Sequence, residues 1–357
     1  MKRAFCVRAA RPEDLPAQAR LFNTCFRKDK GDDTFAWKYL RNPDGPAISR
    51  VACDEAGAVV GGYSYVPRRF LLDGAPTVLM QASDAMTLPE WQGQGIFTGL
   101  DELVCAAAGE AGFPVVWAYS GRLSLKGFLR NGWQHVGDAP LLRHRYRSRR
   151  SLRRLGRAGP LAALAAPLLD VVLGWRDRAL ADRARGTELV RLQRFDARAD
   201  ALFAACAPRE GLVGVRSAAW LNWRYVDNPG RRQECLGLLA ADGALAGYVV
   251  AEFHDGQAHL VDHLAADAAS RAALLLAFTV AAQARGAEEA TALLFDHHPS
   301  AAPLARLGWE RPVRSRPFRD IFPFIVRRCR TDAPASAFHM ASWHLADGDR
   351  DAEHMSP

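Results

Sequence analysis

Through its first half the chain alternates short apolar runs with stretches whose apolar residues recur at helical spacing. FCVRAA (5–10) reads as a short strand, and RPEDLPAQARLFNTCF (11–26) as a helix with Asp and Pro at its start. SRVACD (49–54) and AVVGGYSYV (58–66), separated by EAG, predict a hairpin, and TVLMQASDAMTL (77–88) a longer strand. From Phe97 onward, Leu100, Leu103, Val104, Ala107 and Ala111 keep one helical face, which Gly112 and Pro114 end. PVVWAYS (114–120) reads as a buried strand, SLKGFLRNG (124–132) as a short helix, and WQHVGDAPLLRHRYR (133–147) as extended chain. Helices alternating with strands after an opening hairpin predict a mixed α/β (α+β) sheet.

The pattern also repeats. TFAWKYLRNPDGP (34–46) matches AWLNWRYVDNPG (219–230), aligning Trp37 with Trp223, Tyr39 with Tyr225 and Asn42-Pro43 with Asn228-Pro229. At similar offsets GGYSYV (61–66) pairs with AGYVVA (246–251), and NGWQ (131–134) with LGWE (307–310). Landmarks in one order at nearly one spacing predict two tandem domains of the same fold. We place them at 1–147 and 191–357, with a connector at 148–190. Trp37 and Trp223, with their Asn-Pro turns, are expected to be packing anchors, though Trp37 could also line an acceptor pocket.

Composition changes this picture little: 357 residues with 49% hydrophobic and 24% charged are those of an ordinary globular protein able to bury a large core. The net charge of +8 is concentrated locally, because residues 143–157 hold eight arginines and no acid. Such a run is usually a solvated face, with phosphate-bearing ligands, nucleic acid or an anionic membrane as other readings. Beyond it, AGPLAALAAPLLDVVLGW (158–175), with two prolines and Asp170, is too interrupted for a comfortable membrane span. It is expected to form a buried or interfacial helical hairpin, with peripheral membrane contact left open. The seven cysteines (6, 25, 53, 105, 206, 235 and 329) contain no CxxC pair, so reduced thiols in a cytoplasm are expected, with neither zinc site nor disulfide frame. The basic N-terminus has no apolar core of signal-peptide length.

The chemistry concentrates in LPEWQGQGIFTGL (88–100), between a predicted strand and a predicted helix. Free amides and the helix dipole at such a junction favour an anion, and small residues let a pyrophosphate approach the backbone. A Walker A loop would need Gly-Lys-Ser/Thr, which is missing. A dinucleotide fingerprint would need GxGxxG, whereas Gly93, Gly95 and Gly99 are spaced GxGxxxG. Gln92-Gly93-Gln94-Gly95-Ile96-Phe97 does resemble the Gln/Arg-x-x-Gly-x-Gly/Ala pyrophosphate loop of the GNAT acetyltransferase superfamily, after the lead-in Met86-Thr87-Leu88-Pro89-Glu90. Phe128-Leu-Arg-Asn-Gly132-Trp133 resembles the family's Tyr-x-x-x-Gly-Phe motif. The resemblance spans roughly 5–147 and departs at two places: Phe97 replaces a small residue, and Phe128 stands where many members carry the tyrosine that protonates the leaving thiolate.

The resemblance implies direct acyl transfer, most simply acetyl, from acetyl-CoA or another acyl-CoA to an amine, with no metal. Met86, Thr87, Leu88, Gln92, Gly93, Gln94, Gly95, Ile96, Phe97 and Ser124 would hold the co-substrate. Asp84 is the candidate general base, directly or through water, with a salt bridge to an arginine as its plainer role. Tyr119 and Ser120 are the nearest hydroxyls able to stand in for the missing tyrosine. Ser124 could instead cap a helix, and Glu90 should favour the helix dipole. In the second half DHLAADAASRAALLLAF (262–278) replaces the glycine loop, so that copy is expected to be degenerate and to shape the acceptor cleft. Asp296-His297-His298 reads as loop residues of an old cleft, and the acidic tail from Asp347 lacks the glycine of a calcium loop. The acceptor is expected to be a small-molecule or a glycan- or lipid-precursor amine, with no nucleic-acid partner and the oligomeric state open. The rival readings are a Fem-like aminoacyl-tRNA-dependent transferase and a non-catalytic CoA-binding scaffold.

Overall fold

The computed structural model describes residues 3–148, 160–208, 210–230, 233–312 and 320–351. Most of the arginine run (Arg149 to Arg157) and the start of the connector lie outside the described residues. The first half runs β1 (Cys6–Ala9), α1 (Leu15–Phe26), α2 (Asp32–Tyr39), β2 (Ile48–Cys53), β3 (Val59–Leu72), β4 (Ala75–Thr87), α3 (Ile96–Glu110), β5 (Val115–Tyr119), α4 (Arg122–Arg130) and β6 (Gln134–Arg145). Then come α5 (Pro160–Arg183), β7 (Val190–Leu192), α6 (Ala197–Cys206), β8 (Leu212–Gly214), α7 (Ala218–Leu221), β9 (Glu234–Leu239), β10 (Leu245–His254), β11 (Gln257–Ala265), α8 (Ala268–Ala284), β12 (Glu289–Leu293), α9 (Ala301–Arg306), β13 (Ile321–Arg328) and β14 (Trp343–His344).

The strands form one mixed sheet in the order β1-β2-β3-β4-β5-β13-β6-β12-β11-β10-β9-β7, with β8 pairing β3 and β14. The order shows an exchange. β13, late in the chain, lies between β5 and the first part of β6, while the second part of β6 pairs with β12. A boundary drawn at 147 is therefore crossed by strand pairing in both directions. Helices cover both faces: α3 and α4 pack over β2–β5 with β13, α1 and α2 cover the opposite face of β3 and β4, and α6 and α8 similarly flank β10 and β11.

Two expectations are corrected. The expected hairpin over 158–175 is not formed from Pro160 on: Pro160–Arg183 is one helix with Pro167 inside it, and Leu168, Leu169, Val171, Val172 and Trp175 are exposed rather than buried. On α3 the inner face is Ile96, Leu100, Asp101, Val104, Cys105 and Ala108, while Leu103 is 46% exposed. The inner face includes a carboxylate because Asp101 receives Arg327 from β13, the Tyr65 hydroxyl, the Asn131 amide and the Trp133 indole. A periodicity argument counts apolar residues alone and misses such a partnered acid.

Candidate active site

β4 and β5 run parallel but pair only at Met80–Val116 and Gln81–Trp117. On its other edge β5 pairs with β13 along its whole length, while β4 from Ala82 to Thr87 keeps only its β3 neighbour among the described residues. The two strands therefore splay, and β4 presents an unpaired backbone edge to the gap. Met86 and Thr87 are held in register against Gly62 and Gly61, and the Leu88 N–H is spent on the Val60 carbonyl (3.0 Å).

The glycine loop lies at the top of this gap. Gly93 and Gly95 have φ of +76° and +89°, a conformation that only glycine adopts without strain. Both face solvent, and a Cβ added at Gly93, Gly95 or Gly99 would meet no atom within 4 Å. Gly95 is the N-cap of α3 and supplies no side chain to the helix's first amides. The backbone thus offers free N–H groups, a positive dipole end and open space, which suits the phosphates of a CoA thioester. Ile96 anchors the loop by crossing β3 so closely that a Cβ on Gly61 would lie 2.7 Å from its Cγ2. Gln94 Oε1 accepts from the Arg3 amide (2.8 Å), and Gln92 donates weakly to the Thr87 carbonyl (3.4 Å). Phe97 packs on Phe128 at 5.1 Å between centroids, and Phe128 continues onto Trp133 at 5.1 Å. The two departures from the family pattern therefore fill one another's space.

In the second half α8 begins differently from α3. The Asp267 carboxylate caps it by accepting from the Ser270 amide (2.7 Å), which lowers the pKa of Asp267. A carboxylate on those amides repels a phosphate.

Asp84 lies beside the gap in a bulge of β4: Gly62 faces Met86 while Ser64 faces Ser83, so β4 carries one extra residue there. Asp84 itself has φ of +54°. The other non-glycine residues with positive φ among those described, Arg27, Asp73 and Asp255, lie at a helix end or in hairpin turns. Backbone strain inside a buried strand is the kind that functional sites hold. The ion partner is a lysine rather than an arginine: Lys38 Nζ stands 2.8 Å from Asp84 Oδ2, and the Tyr39 hydroxyl donates to the same oxygen at 2.5 Å. Oδ1 is buried and has no hydrogen-bond partner among the described residues. Lys38 also pairs with Asp351 at 2.6 Å, linking the site to the C-terminal segment. Burial, reinforced by the charge of Asp84, pushes the Tyr39 phenol well above its usual pKa. Lys38 and Tyr39 were not singled out for chemistry from sequence, although the repeated Trp-x-Tyr landmark pointed at this helix.

Tyr119 ends β5 and packs among Trp117, Phe295 and Phe324. Burial first, then Asp349 and Asp347, raise its phenol well above the usual value, so it stays protonated and keeps a hydrogen to donate. Ser120 is buried and Ser124 exposed; their hydroxyls lie 3.2 Å apart and both donate to the Gly121 carbonyl at the start of α4. The fold thus gathers the glycine loop, β4 and the Ser120–Ser124 pair around one gap, and joins Asp84 to α2.

Comparison with known proteins agrees with this geometry. Residues 6–136 match a family described as an acetyltransferase (GNAT) domain. No curated protein matches the chain in sequence. Among solved structures it is similar to a conserved protein of unknown function from Enterococcus faecalis V583, a probable N-acyltransferase (TM-score 0.62, 9% identity, 92% of this chain and 73% of that one). It is also similar to a GCN5-related N-acetyltransferase from Kribbella flavida (0.58, 17%, 92% and 71%). A third likeness is to Saccharomyces cerevisiae N-myristoyltransferase with bound myristoyl-CoA (0.60, 9%, 96% and 83%). Residues 6–136 are thus similar to a GNAT acetyltransferase domain, and the chain shares the fold of these solved structures.

Proposed function

We propose that the protein transfers an acyl group, most simply acetyl, from an acyl-CoA to an amine by direct attack. The observation that carries this reading is the pair of left-handed glycines with open space before α3, at the head of the gap between β4 and β5. The loop would take the pyrophosphate, and the free edge of β4 would align the pantetheine and thioester carbonyl by hydrogen bonds. As the amine nitrogen bonds to the carbonyl carbon, the carbon–sulfur bond breaks. Asp84, with its unpartnered Oδ1, is the proposed acceptor of the amine proton, and Tyr119, kept protonated, the proposed donor to the departing sulfur. Ser120 is the alternative donor through the Ser124 pair.

The same proposal reads the chain as a duplication of GNAT-like halves, 1–147 and 191–357, joined by 148–190. Matched contacts support it. Tyr39 donates to Asp84 at 2.5 Å and Tyr225 to Asp262 at 2.6 Å, each aspartate beside a one-residue bulge in its strand. Asp267 at the head of α8 argues that only the first half holds the co-substrate. The acceptor would be a small-molecule or precursor amine.

Calorimetric titration of acetyl-CoA tests the reading, with Gly95→Trp and Thr98→Glu as variants. Thr98 is exposed in the first turn of α3, where an acid favours the helix yet repels phosphate. One equivalent of binding to the wild type, lost in both folded variants, is expected. No binding, or binding indifferent to both, overturns the reading.

A further inference from the structure

Nine large hydrophobic side chains are strongly exposed among the described residues, and five of them fall within eight consecutive positions of α5: Leu168 (74%), Leu169 (45%), Val171 (51%), Val172 (59%) and Trp175 (66%). The next turns of the same helix are fixed to the protein. Asp177 and Leu180 are buried, Asp177 accepts from the Gln283 amide of α8, and Arg176 donates to the Arg145 carbonyl. The helix is therefore anchored by its C-terminal turns, while the stretch before them carries exposed apolar side chains over nearly half of its circumference. Contiguous exposed apolar surface of this kind marks a contact with a membrane or a partner.

Charge decides between the occupants. Asp170, the acid in the exposed part, accepts from the Ser148 amide at 2.7 Å, so its charge is turned toward the protein. That bond also brings the start of the arginine-rich segment to the middle of the exposed stretch. Arg147 is exposed just before it, and the sequence from there to Pro160 carries Arg149, Arg150, Arg153, Arg154 and Arg157 with no acid. Arg178 is exposed three residues after Trp175, on the same side of the helix. A second copy would bring one such arginine cluster toward another in a chain of net charge +8, whereas anionic lipid neutralises it. Residues 160–175 extend only about 24 Å as helix, short of the ~30 Å hydrocarbon core. Among the described residues no helix is long and apolar enough to cross a membrane.

We propose that the exposed stretch 168–175 of α5 is a docking element for an anionic membrane surface, lying in the headgroup plane with Leu168, Val172 and Trp175 inserted and Arg147 and Arg178 on lipid phosphates. This assignment is independent of the acyl-transfer reading.

Cosedimentation tests it, using vesicles of mixed phosphatidylglycerol and phosphatidylcholine against phosphatidylcholine alone. The wild type should partition onto the anionic vesicles, less so as salt is raised. Val172→Glu combined with Trp175→Glu should weaken that partition at least tenfold without changing thermal unfolding, since both side chains are solvent-exposed. A blue shift of tryptophan emission on the vesicles should vanish in Trp175→Phe. Three outcomes would overturn the proposal: a wild type that stays in the supernatant, equal binding to neutral and anionic vesicles, or a dimer dispersed by the glutamates while vesicles capture nothing.

Discussion

Trp37 and Trp223 lie face to face, 4.6 Å between ring centroids and 19° between planes, and each indole N–H donates to the other's carbonyl, at 2.8 and 3.1 Å. Residues 186 positions apart thus make a contact that is the same read from either side. It clamps α2 onto the helical turn that follows α7. Replacing either indole by phenylalanine keeps a ring but strands the partner's carbonyl, so Trp37→Phe and Trp223→Phe should each lower stability by about 1–3 kcal/mol. The double variant should show a coupling of roughly 0.5–3 kcal/mol in denaturant unfolding. Strict additivity would mean that the two rings do not act as one contact.

Lys38 and Asp84 should separate stability from chemistry. Lys38→Met leaves the buried carboxylate without its cation and should cost about 3–5 kcal/mol. Asp84→Asn keeps the shape of the site and should retain acetyl-CoA binding while lowering acyl transfer roughly 10²–10⁴-fold, read as thiol release in the presence of an amine acceptor. Undiminished transfer by the asparagine variant would leave Asp84 a structural partner of Lys38 and Tyr39 only.

The buried histidines set a pH dependence. Burial, with Arg271 and Arg216 nearby, pushes His263 down to about 3, and burial likewise lowers His298 and His144. These groups are neutral in the fold and protonate more readily when unfolded, so they contribute fully above the unfolded value of about 6.5 and lose that contribution as pH falls below it. Each adds a slope of up to about 1.4 kcal/mol per pH unit on the acid side. Urea unfolding at pH 7.5 and 5.5 should show the fall, and His263→Gln should reduce it. His263 Nε2 lies 2.6 Å from the Ser300 hydroxyl, a contact that glutamine can replace.

Arg327 carries the exchanged strand's attachment to α3 through Asp101, which is fully buried. Arg327→Met should destabilise by about 3–5 kcal/mol. If the loss is below 1 kcal/mol, Tyr65, Asn131 and Trp133 alone suffice to hold the carboxylate.

The local features were written in the chain itself. Runs such as PVVWAYS form strands because apolar β-formers there must be buried, and Gly93 and Gly95 mark the loop because a backbone turning through positive φ before a helix needs residues without Cβ. Each depends on neighbours within a few residues, and so does the open, glycine-bearing form of the junction. What pairs with what was decided only in three dimensions. Asp101 sits on the inner face of α3 because Arg327 arrives from the far end of the chain, and Asp84 found Lys38 rather than an arginine because α2 packs over β4. The stretch around Leu168 reads as core by its apolar content, yet among the described residues nothing covers it. Hydrophobicity and turn chemistry are properties of short segments; the partner of a buried charge, or of an apolar face, is a property of where distant segments meet.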